Sequence, residues 1–417
     1  MLSLKKFYIG CLVVLLAVSF AWLNNVRQNW DRNEGTIFNI LYLIQPAWPI
    51  ETILNKPIHE QVAFVDRITH DVEKDLPECL VRRWFSEDIV TASFGPTQTK
   101  VSKLLIPIRD TNKEERDIPV LCTRPANNNN AIDGTTTPLP LVLYFHYGGL
   151  MFGSAKAELL LIRYVSQITN SVVCSPDYRK APEHAFPAAV NDAMDASRFL
   201  IQNGSARNTE DDQETNLLLD TLGVIIDPSK VATFGISAGG YLSGHVARHL
   251  AIKEGITVKL QVSIVPMVKP FAGTQSLRQL GKKDYWNEDW NTFAWNSYLA
   301  TENKDDTEKL VNDWRVNLLV DPPRNTEEEE KVVERLVLPP VYLQLHQRCP
   351  LYDEGKLYAQ KLQEQGNLLE LVEYNAIHGT FAPPMSNGGP ADGSFERAVM
   401  TLKTHLYSGD NDNATVL

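Results

Sequence analysis

The sequence predicts an α/β fold, an α/β architecture with a mostly parallel central sheet, helices on both faces and a helical cap. Three observations carry it. From about residue 99 onward, short apolar runs bounded by turn residues alternate with stretches of helical spacing. A Gly-x-Ser-x-Gly turn joins one such run to one such helix. The length of 417 residues suits one large domain with additions.

The elements follow in chain order. Lys5 and Lys6 precede an uncharged stretch, Phe7 to Leu23, which as a helix would span about 25 Å. That exceeds the ~7–15-residue apolar core of a secretory signal. Residues 1–24 therefore read as an uncleaved signal anchor. A cleaved signal peptide is the alternative, with Ser19 and Ala21 as small residues at a cleavage site. Lysines ahead of the segment place the short N-terminus in the cytoplasm and the remainder on the lumenal or extracellular side, although Arg27 and Arg32 oppose this. The sequons at Asn203 and Asn413 are compatible with that side. Residues 25–98 read as a helical region contributing to a cap, with Val62, Val65, Ile68 and Val72 at helical spacing.

Strands are expected at Val101–Ile108, Ile118–Cys122 and Leu141–Phe145, the last two separated by a polar loop over 127–140. Helix and strand then alternate: helix Ala155–Thr169, strand Ser171–Ser175, helix Pro187–Gln202, strand Val231–Phe234, helix Ala238–Lys253 and strand Val258–Val265. After Pro266 the rhythm breaks over about 268–338, a stretch holding Trp286, Trp290, Trp295 and Trp314. This insertion is expected to complete the cap, with tryptophans either lining a pocket or anchoring the core. Strand Val341–Leu345, helix Asp353–Gln365, strand Leu369–Tyr374 and helix Phe395–Leu406 close a domain over 99–407, and 408–417 is a tail.

The formal charge of −11 and the absence of a basic patch exclude nucleic acid as a partner. Cys11, Cys79, Cys122, Cys174 and Cys349 have no metal-ligand spacing, and the sequence leaves open whether they are buried thiols or disulfides. Neither a metal nor a cofactor is expected. Oligomeric state is not readable.

The chemistry concentrates in three places. Gly235-Ile236-Ser237-Ala238-Gly239 follows an apolar strand and opens a helix. Small residues on both sides of the serine permit a sharp turn that leaves its hydroxyl exposed at the helix N-terminus. His146-Tyr147-Gly148-Gly149 follows the strand Leu141–Phe145. The amides of Gly148 and Gly149, with that of Ala238, are candidate oxyanion donors. His146 reads as a brace for this loop. His378-Gly379 follows a late strand, and His378 is the candidate general base for a Ser237 nucleophile.

Together these residues resemble the hormone-sensitive-lipase-like branch of α/β-hydrolases, above all the arylacetamide deacetylase and neutral cholesterol ester hydrolase group. The resemblance covers about 100–407. It rests on His146 to Gly149 against H-G-G-G, Tyr178 to Pro187 against Y-R-x-A-P-E-x-x-x-P, and Gly235 to Gly240 against G-D-S-A-G-G. It also rests on Cys349 to Gly355 against D-P-L-x-D-E-G, and on His378-Gly379. The resemblance implies a cofactor-free serine esterase working through an acyl-serine. Three positions depart from it. Tyr147 replaces a glycine, Ile236 replaces an aspartate, and Cys349 stands where the family keeps its triad aspartate. A thiol in an apolar site stays mostly neutral and does not stabilise an imidazolium as a carboxylate does. Asp353 is the nearest substitute acid, with Glu354 beside it; capping the following helix is its other role, and an acid from elsewhere in the chain, or none, is the remaining alternative.

Two functions follow. The first is a membrane-attached serine hydrolase of apolar carboxylic esters, with Ser237, His378 and Asp353 as catalytic residues. The second is an α/β-hydrolase-fold ligand-binding or interaction protein with impaired catalysis, a reading that follows from Cys349.

Overall fold

The computed structural model describes residues 99–109, 115–125, 137–205, 217–280, 286–301, 303–322, 338–380 and 390–408. The expected anchor over 1–24, the helical region over 25–98 and all but the first residue of the tail lie outside them. No helix among the described residues is long and apolar enough to cross a membrane.

Among the described residues eight strands form one sheet: β1 (Thr99–Arg109), β2 (Glu115–Pro125), β3 (Leu139–Phe145), β4 (Val172–Pro176), β5 (Ile226–Ile236), β6 (Gln261–Ile264), β7 (Val341–His346) and β8 (Leu368–Tyr374). Their spatial order is β1-β2-β4-β3-β5-β6-β7-β8. The β1/β2 and β2/β4 pairs are antiparallel, and every later pair is parallel. Parallel strands need crossovers, and helices supply them. The helices of the described residues are α1 (Leu159–Thr169), α2 (Ala188–Gly204), α3 (Leu217–Leu222), α4 (Ala238–Glu254), α5 (Gln275–Leu280), α6 (Glu288–Leu299), α7 (Lys304–Val311), α8 (Tyr352–Glu364) and, after the last strand, α9 (Ser394–Leu406). With helices on both faces, β3, β4, β6 and β7 are buried along their whole length, which is why they read as unbroken apolar runs.

Two expected elements are shorter than the sequence suggests. The first crossover helix starts at Leu159 rather than Ala155, because Ala155 to Glu158 form turns. The strand expected over Val258–Val265 is regular only from Gln261 to Ile264, and Val265 turns away with φ 40°. The register of β2 against β4 also decides a question the sequence leaves open. Cys122 and Cys174 lie directly opposite each other, 4.1 Å apart at Cα, and form a disulfide. These two cysteines are therefore not buried thiols.

Among the described residues burial lowers the pKa of a set of histidines, His245 included, and raises that of the glutamates Glu158, Glu354 and the partly buried Glu396. Burial pushes His146, His249 and His346 down to about 4 and His378 to about 3. It pushes Glu158 and Glu354 up to about 8. Below the ordinary histidine value of 6.5 the unfolded chain takes up protons that the folded histidines refuse, so stability falls with acid. Between 4.5 and 8 the folded glutamates keep protons that the unfolded chain releases, so they lose stability as pH rises. Five histidines outweigh three glutamates up to 6.5, and only the glutamates act above it. The thermal midpoint is expected to peak near pH 6.5 and decline on both sides, as measured by calorimetry at constant ionic strength. A midpoint rising steadily from pH 6.5 to 8 would contradict this.

Candidate active site

Ser237 sits at the C-terminal end of β5, and three other parallel strands of the sheet supply the rest of the site. The 146–149 loop leaves β3, the turn with Cys349 leaves β7 and the loop with His378 leaves β8. In open α/β sheets this edge is where ligands bind. Ser237 occupies the turn into α4 with φ 54° and ψ −117°, a conformation that non-glycine residues rarely hold. The two flanking glycines explain how the turn closes. A Cβ on Gly235 would lie 2.0 Å from the Gly239 carbonyl oxygen, and one on Gly239 would lie 1.9 Å from that of Phe145. Backbone bonds hold the serine on both sides: its amide donates to Ile264 O at 2.8 Å, and its carbonyl accepts from Met267 N at 3.2 Å. Ile236, where the related motif has aspartate, is fully buried in the core.

Ser237 Oγ lies 3.1 Å from His378 Nε2. The other ring nitrogen, Nδ1, lies 3.0 Å from Cys349 Sγ, and the Leu351 amide donates to the same sulfur at 3.3 Å. All three residues of this chain are at most 3 % exposed. For Nε2 to accept the serine proton, Nδ1 must carry the ring proton, and the sulfur is then its acceptor. His346 fixes the backbone next to the base. Its Nδ1–H donates to Ile377 O at 2.8 Å, leaving Nε2 to accept from Gln344 Nε2 at 3.0 Å. Burial, assisted by repulsion from His346, holds His378 down near 3, so its ring is neutral over the ordinary pH range.

Asp353 is not brought to this site. Its Oδ2 accepts from Ser276 N at 2.8 Å and its own amide donates to Ser276 Oγ at 3.1 Å, so it ties the start of α8 to α5. Glu354 faces the interior beside it and accepts from Val268 N at 2.9 Å. The acid expected at Asp353 is corrected on this geometry, because the sulfur of Cys349 already occupies the Nδ1 side of the ring. Asp353→Asn, whose amide oxygen still accepts from Ser276, is expected to keep kcat within about threefold of wild type. A fall near ~10⁴-fold, the usual cost of losing a triad acid, would return Asp353 to the site.

The oxyanion candidates lie where the sequence places them in relation to the strand ends. Gly148 and Gly149 take φ 127° and 63°, and among the described residues their amides have no backbone acceptor. Gly148 is closed in by Phe152, whose carbonyl oxygen would lie 2.2 Å from an added Cβ. Trp286 closes in Gly149, with Cη2 2.4 Å from such a Cβ, and stacks on His378 at 6.1 Å between centroids. Trp286 is thus a wall of the site and, with Trp290 and Trp295, also part of the core. His146 braces the loop as its sequence position suggests: Nδ1 lies 2.8 Å from Tyr147 O and its ring stacks on Tyr178 at 4.1 Å. Sequence reasoning missed Glu158 and His346 and offered Trp286 only as one of four tryptophans that either line a pocket or anchor the core. The signal for Trp286 is its place in the aromatic-rich insertion.

Comparison with known proteins gives one consistent result. A family model described as alpha/beta hydrolase fold matches residues 142–382. The "Carboxylic ester hydrolase LipN" of Mycobacterium tuberculosis is 31% identical over 290 residues, which is 68% of this chain and 67% of that protein. "Arylacetamide deacetylase-like 2" of Homo sapiens is 31% identical over 154 residues, 36% of this chain and 33% of that protein. Among solved structures, the thermostable carboxylesterase EstE1 from a metagenomic library matches with TM-score 0.59 and 26% identity, covering 79% of this chain and 97% of that one.

Proposed function

Because the chain belongs to the alpha/beta hydrolase fold family, we propose that it is a serine hydrolase of carboxylic esters. The observation that carries this reading is the hydrogen-bond chain from Ser237 through His378 to Cys349. Ser237 Oγ attacks the ester carbonyl while Nε2 of His378 takes the serine proton. The amides of Gly148, Gly149 and Ala238 stabilise the oxyanion. Collapse expels the alcohol, which leaves with the proton from His378, and an acyl-serine remains. Water then attacks the acyl-serine, with His378 again accepting and returning a proton, and the acid is released. The aromatic wall at Trp286 suits apolar esters.

A second reading has its own observation. Cys349 gives His378 a sulfur where a carboxylate is expected, so a ligand-binding protein with little turnover uses the same pocket. One experiment separates the two. The full-length protein is treated with a fluorophosphonate and assayed with p-nitrophenyl acetate and butyrate. The hydrolase reading expects Ser237 to be phosphonylated and both esters to be cleaved. An unlabelled Ser237 with no hydrolysis leaves the binding reading.

The same proposal places the catalytic domain on the lumenal or extracellular side of a membrane, tethered by Phe7 to Leu23. The Cys122–Cys174 disulfide supports an oxidising compartment. Protection of the domain from added protease in intact microsomes tests this. Digestion without detergent would overturn it.

A further inference from the structure

We propose that Glu158 is a positioning residue for the oxyanion loop, holding the Tyr147 amide so that Gly148 and Gly149 present their N–H groups to the reacting carbonyl. The inference rests on the esterase reading and adds a residue to it.

Glu158 stands at the N-cap of α1, where a carboxylate commonly accepts from its own helix, yet its side chain makes no capping bond. It turns inward instead and is 2 % exposed. Oε1 accepts from Tyr147 N at 2.6 Å and Oε2 accepts from Tyr144 OH at 2.7 Å. Tyr144 is fully buried in β3 and stacks on Phe234 of β5, 5.3 Å away, three residues before the nucleophile. The carboxyl therefore ties the loop to the two strands that carry the site. A buried carboxyl is costly unless its oxygens are satisfied, and an apolar residue would cover the same interior without that cost.

The consequence for the amides is geometric. Glu158 fixes the peptide before Tyr147. His146 Nδ1–H fixes the next one, by donating to Tyr147 O at 2.8 Å. That carbonyl shares a planar trans peptide with the Gly148 amide, so its N–H points the opposite way. Tyr178 OH in turn donates to His146 O at 2.9 Å. Both peptides around Tyr147 are thereby held, although a tyrosine replaces the glycine of the related motif.

The test uses full-length E158L, E158Q and Y144F. Glutamine keeps an acceptor for Tyr147 N and donates its amide to the Tyr144 oxygen. E158Q is expected within about fivefold of wild type in kcat, and Y144F to lose about three- to tenfold. E158L is expected to lower kcat by about 10²- to 10³-fold with little change in KM, as removal of an oxyanion donor does. Affinity for a trifluoromethyl ketone, whose hemiketal oxygen occupies the hole, should fall in parallel. Hydrogen exchange across residues 146–153 should speed up in E158L and not in E158Q. If E158L does not fold, Y144F and E158Q carry the comparison. Unchanged kcat, ketone affinity and exchange in folded E158L, or in Y144F, would overturn the proposal. A wild-type protein that neither cleaves esters nor labels at Ser237 would instead overturn the esterase reading, and the exchange contrast would still decide whether Glu158 orders the loop.

Discussion

Cys349→Asp is expected to raise kcat by about 10²- to 10⁴-fold, the range that a triad carboxylate commands elsewhere. The geometry is already in place. Nδ1 of His378 faces the side chain of residue 349 at 3.0 Å, and the Leu351 amide points at the same atom from 3.3 Å. A carboxylate takes both donors and adds a charge that stabilises the imidazolium formed when Ser237 gives up its proton. The sulfur accepts the same bonds weakly. The pH profile provides a second readout. In wild type the base is held near 3, so kcat/KM should show no acid limb at the usual histidine value. Aspartate at 349 raises the His378 value, and an acid limb should appear between about pH 4 and 7. Cys349→Asn is the control, matching aspartate in shape without its charge, and should give neither gain nor shift. Equal rates in all three proteins would mean that residue 349 does not act on His378.

The parts of this site that were legible in the sequence are those in which chemistry dictates local spacing. Gly235 and Gly239 flank Ser237 because no Cβ fits at either position, and that requirement is written within five consecutive residues. His378 follows a strand end for a similar reason. The fate of Asp353 was not legible, since it is decided by Ser276, 77 residues earlier, at a helix start that only the folded chain brings near. The Cys122–Cys174 bond depends on the register of two strands 52 residues apart. Glu158 was hidden for a different reason. An acidic residue in the stretch Ala155–Thr169 reads as one more polar position on a helix. Its inward turn follows from the helix beginning later than the apolar spacing suggests.

Ser237→Ala is expected to remove activity by about 10⁶-fold relative to an intact triad, leaving only what binding and oxyanion stabilisation provide. Because wild type works with sulfur at position 349, the fall measured from wild type should be smaller than the fall measured from Cys349→Asp. The decisive comparison is therefore the double mutant. In the proposed mechanism residue 349 acts through His378, and His378 acts by moving the Ser237 proton. In the Ser237→Ala background, aspartate at 349 should give no gain, so the two substitutions are non-additive by the whole of the Cys349→Asp effect. Fluorophosphonate labelling follows the same logic, since phosphonylation also needs the serine oxygen with its proton removed. It should be faster in Cys349→Asp and absent in both proteins that lack the serine. A gain from Cys349→Asp that survives in Ser237→Ala would mean that the new carboxylate or a water is the nucleophile, and the hydrogen-bond chain would then not be the catalytic unit.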